Sequence, residues 1–152
     1  MLTSNAIINK VMTGTGDTYM ELNPKLSPRN SIVIEPYRSA VENKVQAFDE
    51  AQGVFKEVTV KKLTAYLNNS NIKYKKIITT PEGFENKVLK AAKQLRMNIY
   101  KEYFCLFDES EHLTEDTDYR RSISAPKKEF FKFEGKALVS ATPLKPSKYT
   151  LT

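Results

Sequence analysis

Five short apolar runs, each ending in a polar or charged cluster, restrict what this chain can fold into more than any other feature of its 152 residues. They are AIINKVM (Ala6 to Met12), SIVIEP (Ser31 to Pro36), KIITT (Lys76 to Thr80), YFCLFDE (Tyr103 to Glu109) and KALVSATP (Lys136 to Pro143). Their apolar residues are largely consecutive, so each run reads as a strand buried on both faces. The segments between them have helical spacing. Tyr37 to Glu50 predicts a helix with Val41, Val45 and Phe48 on one face. Thr80-Pro81 is a cap and first-turn pair for a helix whose apolar face is Phe84, Val88, Ala91, Ala92 and Leu95. Asp17 to Leu22 predicts a short helix ended by Asn23-Pro24. Between Val54 and Lys76 the expectation is a short strand at VTV (58–60) and a helix around Leu63 to Leu67. Strands alternating with helices predict an α/β fold, a mainly parallel sheet covered on both faces, in one domain.

Ligands of such a sheet bind beyond the carboxyl ends of its strands, and the chemically distinctive residues lie there. A glycine turn, TGTGDT, follows the first run; Pro36-Tyr37-Arg38 follows the second, Thr79 to Gly83 the third, Asp108-Glu109 the fourth and Ser140-Ala141-Thr142 the fifth. A glycine turn feeding a helix N-terminus points backbone N–H groups and a partial positive charge at one spot, which suits phosphate oxygens. Gly14 and Gly16 permit close approach, and Thr18 offers a hydroxyl for Mg²⁺. Asp108 could hold Mg²⁺, and Glu109 could polarise an attacking water. Blander readings stay open: a turn that only joins strand to helix, a solvated acidic strand end, and hydroxyls at Ser140 and Thr142 that only cap the next segment. The lone histidine, His112, fits a structural hydrogen-bonder better than a catalyst.

Composition narrows the class. Hydrophobic residues make up 40% and charged residues 28%, which excludes a disordered chain, and no apolar run nears the roughly 20 residues that span a bilayer. The N-terminus lacks the pattern of a secretory signal, and the single cysteine, Cys105, excludes an internal disulfide, so the expected compartment is the cytoplasm. The net charge of +6 is unevenly spread. Residues 61–100 carry nine basic against two acidic residues, 101–120 two against seven, and 121–152 seven against two. Basic blocks favour a polyanionic partner through counterion release, although lysines at this density also serve solubility alone.

Taken in order, these stretches resemble the first RecA-like domain of superfamily 2 helicases, from Ile7 to Pro143. TGTGDT looks like the phosphate loop, PYRSAVENK like the first nucleic-acid motif, TTPEGF like the Thr-Pro motif, FDESEH like the DEAD or DExH box, and VSATP like the Ser-Ala-Thr motif. The resemblance implies a three-layer RecA-like P-loop NTPase fold. It implies that Thr13, Gly14, Thr15, Gly16, Asp17 and Thr18 lie at the nucleotide, with Thr18 and Asp108 at the metal. Asp108, Glu109, Ser140 and Thr142 would be catalytic, the two hydroxyls linking the acidic pair to the nucleic-acid side. Pro36, Arg38, Thr80 and Pro81 would meet nucleic acid. The implied cofactors are ATP and Mg²⁺, and the implied partners are DNA or RNA with a second helicase domain or a replication partner, and no membrane.

The sequence departs from that pattern at several places. Asp17 stands where the loop lysine would neutralise phosphates, so ATP binding is expected to be weak and hydrolysis impaired or lost. Lys10 is a nearby candidate to compensate. The acidic box has Glu111 in its fourth place and His112 one later, and no adenine-recognition motif precedes the loop. The sequence reaches Thr152 soon after the Ser-Ala-Thr stretch, so the second domain of these helicases is expected to be absent from it, the chain being either a fragment of a longer helicase or a free-standing relic that uses the fold for binding. Three functions are thereby expected: a helicase-like nucleic-acid-binding module, the first half of a helicase active only with a second domain, or a protein-interaction domain retaining only the fold. Reduced reading frames of this kind suit a phage or mobile element.

Overall fold

A computed structural model describes residues 6–9, 16–108 and 129–140, with side chains for 18–108 and 129–139. Among these residues six strands form one parallel sheet: β1 (Ala6–Asn9), β2 (Ser31–Ile34), β3 (Ala51–Val54), β4 (Lys76–Thr79), β5 (Phe104–Asp108) and β6 (Gly135–Ser140), in the spatial order β1-β6-β5-β2-β4-β3. The helices among the described residues are α1 (Gly16–Leu22), α2 (Arg38–Ala47), α3 (Val60–Leu67), α4 (Pro81–Gly83), α5 (Leu89–Gln94) and α6 (Ile99–Glu102), with a π-helical stretch Phe84–Val88 joining α4 to α5.

The consecutive apolar runs are buried on both sides, as their pattern predicts. Ile32, Ile34, Ile77, Cys105, Phe107 and Leu138 face one core, with Leu63, Leu67, Phe84, Val88, Ala91, Ala92 and Ile99. The intervening residues Val33, Ile78, Phe104, Leu106, Ala137 and Val139 face a second core with Leu22 and Val41. Strand side chains alternate between faces, so α1 and α2 cover one face and α3 to α6 the other, giving three layers. Among the described residues no helix is long and apolar enough to cross a membrane.

Three local expectations change. The VTV stretch is no strand: Val58 is buried, Thr59 caps α3 by accepting a hydrogen bond from the Lys62 N–H at 3.1 Å, and Val60 opens the helix. Cap chemistry at Thr59 outweighs the β propensity of its neighbours. The helix expected to run to Glu50 ends at Ala47, because Phe48 is extended as its C-cap. The chain turns there into β3, AQGV, a strand beyond the five apolar runs, which has a single β-branched residue and so carries little β signal. Gly53 makes this edge strand fit, since a Cβ there would lie 2.6 Å from Val45 Cγ2 and 2.8 Å from Phe55 Cζ.

Candidate functional site

Register decides which residues meet at the carboxyl edge. Ile34 pairs with both Thr79 and Phe107, Val54 with Thr79, and Asp108 with Val139. The next residues, Phe55, Thr80, Glu35 and Asp108, therefore form one row across four neighbouring strands. Period-2 alternation from Val33, Ile78 and Leu106 turns Glu35, Thr80 and Asp108 toward the face covered by α1 and α2.

A buried polar cluster forms there. The Thr18 hydroxyl, in the first turns of α1, donates to Asp108 Oδ2 at 3.1 Å. Lys44 reaches down from α2 and places Nζ 3.1 Å from Glu35 Oε1 and 3.9 Å from Asp108 Oδ2. The side chains are 2% exposed at Glu35, 4% at Asp108 and 13% at Lys44, so the charges interact in a largely dry environment. Burial pushes the Glu35 carboxyl up to about 9, and the neighbouring Asp108 carboxylate adds to this while Lys44 opposes it. Tyr19 roofs the cluster, its ring 5.9 Å from Lys44 Nζ and 5.6 Å from the Phe48 ring.

The expected nucleic-acid residues converge beside this cluster. Pro36, Arg38, Thr80 and Pro81 line one groove of about 560 Å³ over β2, β3 and β4, with Tyr37, Phe55, Lys56 and Lys87. Thr80 caps α4 through its hydroxyl, accepting from the Gly83 N–H at 3.2 Å, which commits that oxygen to the helix. Gly83 is required where the helix meets β4, since a Cβ would sit 2.6 Å from Thr79 Oγ1. Arg38 is exposed but held: its Nε donates to Glu42 at 2.7 Å, its Nη2 donates to both Glu57 oxygens at 3.2 Å, and its guanidinium lies 5.4 Å from the Phe55 ring centre. Lys87 pins the β3–α3 connection by donating to the carbonyls of Phe55 and Lys56.

Asp108 and Ser140 end adjacent strands at the same edge as expected, Ser140 one residue beyond the partner of Asp108. Gly16 and Asp17 open α1. Thr13, Gly14, Thr15, Lys10, Glu109, Glu111, His112 and Thr142 lie outside the described residues, as do the side chains of Asp17 and Ser140. Sequence reasoning missed Glu35 and Lys44. Both carried a signal: Glu35 is a carboxylate after an apolar strand, like Asp108, and Lys44 interrupts the stripe of Val41, Val45 and Phe48.

A Mg²⁺-nucleotide is the cofactor that the resemblance of the sequence motifs implies. The Thr18 hydroxyl and Asp108 carboxylate are the hard oxygen donors Mg²⁺ prefers. Asp108, however, already has an ammonium 3.9 Å away, and its buried neighbour Glu35 is paired with the same ammonium, so as arranged the donor set does not fit a dication.

No protein-family model matches the chain, and no curated protein does. Solved structures do match. A hypothetical ATP-dependent RNA helicase from Sulfolobus tokodaii superposes with a TM-score of 0.60 at 17% identity over 90% of this chain, which spans 41% of the length of that one. At this identity the likeness speaks for architecture alone: the chain shares with that structure an α/β fold built on an all-parallel sheet.

Proposed function

We propose that this chain is a helicase-like nucleic-acid-binding module whose phosphate loop is degenerate and whose NTP hydrolysis is impaired. The observation that carries the reading is the single groove at the carboxyl edge that gathers Pro36, Arg38, Thr80 and Pro81 with Lys56, Lys87 and the aromatic rings of Tyr37 and Phe55. Cations that track a phosphate backbone, beside rings on which bases stack, suit a single strand read without sequence preference. DNA and RNA are both admitted by this chemistry. A second reading, the nucleotide-binding half of a helicase completed by another domain, draws support from the Thr18 to Asp108 contact at 3.1 Å.

The test is a titration of labelled single-stranded DNA and RNA across a salt series. Affinity is expected to fall steeply with salt and to vary little with sequence. Arg38→Ala should weaken binding severalfold and lower the salt slope by about one phosphate contact. Glu57→Gln should strengthen binding severalfold, since it removes a carboxylate that competes with phosphate for Arg38. Absence of binding even at low salt would leave the fold as a protein-interaction domain.

A further inference from the structure

Lys44 lies in the last turn of α2, on the stripe that also carries Val41 and Val45, a place where a lysine is costly unless paired. Its ammonium leaves the helix surface and runs under Tyr19 to the strand ends, where it meets Glu35 and Asp108. Asp108 Oδ2 also accepts the Thr18 hydroxyl, so hydroxyl and ammonium converge on one carboxylate oxygen. A divalent ion bound at that oxygen would bring two positive charges beside an ammonium that is held there by Glu35 and has little water to screen it.

We propose that Lys44 is a built-in counter-ion that takes the electrostatic place of the divalent metal at Asp108, so that the folded chain holds this site compensated and binds metal there only weakly. The inference rests on the reading of impaired hydrolysis and adds a cause located in α2, separate from the Asp17 substitution in the loop. It also assigns Glu35 a role, that of holding the ammonium in position from the neighbouring strand. A lysine that only satisfied Glu35 would leave metal affinity at Asp108 indifferent to its replacement, and this is where the two roles part.

The experiment is a Mn²⁺ titration of the full chain, followed by electron paramagnetic resonance of the free ion at constant pH and low ionic strength. The wild type and Lys44→Arg, which keeps the charge, should bind Mn²⁺ weakly and alike. Lys44→Met should bind at least tenfold more tightly, and adding Asp108→Asn to it should abolish the gain. If Lys44→Met does not fold, Glu35→Gln with Lys44→Met replaces the buried pair by neutral groups, and the same tenfold gain is expected over Glu35→Gln alone. A folded Lys44→Met protein with unchanged or weaker Mn²⁺ affinity overturns the proposal, and so does a gain that survives Asp108→Asn. Nucleic-acid binding in metal-free buffer should be equal in wild type and Lys44→Met; its absence in both would remove the functional reading while leaving the metal result to stand or fall separately.

Discussion

Asp17→Lys is expected to tighten nucleotide binding by roughly 100-fold while leaving phosphate release close to background. Asp17 is the second residue of α1, next to backbone N–H groups that have no partner within the helix and a positive dipole end suited to phosphate. A carboxylate there opposes that preference. Two unit charges about 4 Å apart interact by roughly 4 kcal/mol at an effective dielectric of 20, so exchanging repulsion for attraction is worth several kcal/mol before solvent and relaxation reduce it. A net gain of about 2.7 kcal/mol corresponds to the 100-fold expected. Turnover does not follow, because Asp108 remains paired with Lys44 whatever stands at position 17. Equilibrium binding of ATP with and without Mg²⁺, beside steady-state phosphate release, measures both halves for wild type, Asp17→Lys, and Asp17→Lys with Glu109→Gln. Vigorous hydrolysis by the wild-type chain, abolished by Glu109→Gln, would show that another group does the work of the loop lysine.

The strands that form the middle of the sheet were legible because consecutive residues such as Ile32, Val33 and Ile34 are buried on both faces, and no alternation obscures them. The carboxyl-edge location of Arg38, Thr80 and Asp108 followed from the same pattern. The edge strand β3 was not legible, since Gln52 and Gly53 have weak strand preference and it is the close approach of Val45 and Phe55 to Gly53 that fits the strand in place. The charge cluster was hidden for a different reason. Glu35 and Asp108 are far apart in the chain, and only the β2–β5 register makes them neighbours. Motif order along the chain says nothing about which strands are adjacent, so a resemblance built on motifs could name Asp108 without its partner. Lys44 was concealed by the habit of reading a lysine in a helix as solvated, whereas its long stem passes over apolar surface to a buried destination.

Lys76→Met is expected to cost about 3 to 5 kcal/mol of folding stability. Lys76 begins β4 at the end of the sheet opposite the site and is 1% exposed. Its ammonium has the carbonyl oxygens of Glu21, Ser27 and Arg29 at 2.7, 2.9 and 2.7 Å and the Ser31 hydroxyl oxygen at 2.9 Å, four acceptors that share its three N–H donors. It also lies 3.8 Å from the fully buried Glu21 carboxylate, which Arg29 and Ser31 hold from the other side. Methionine fills similar space but leaves three carbonyls without their donor and Glu21 with one cation fewer, and buried acceptors left unsatisfied cost about 1 to 3 kcal/mol each. Burial holds the Lys76 pKa down at about 8, against 10.5 for the free side chain, with Glu21 working in the opposite direction. Between those values the unfolded chain binds a proton that the folded chain has released, so the contribution of this group to stability rises with pH across that window. Urea unfolding at pH 7 and at pH 9.5 tests both statements: Lys76→Met should lower the midpoint strongly at pH 7 and should lack the alkaline gain of the wild type. A midpoint unchanged by the substitution would mean that α1, the Ser27 to Arg29 turn and β4 are held together by apolar packing alone.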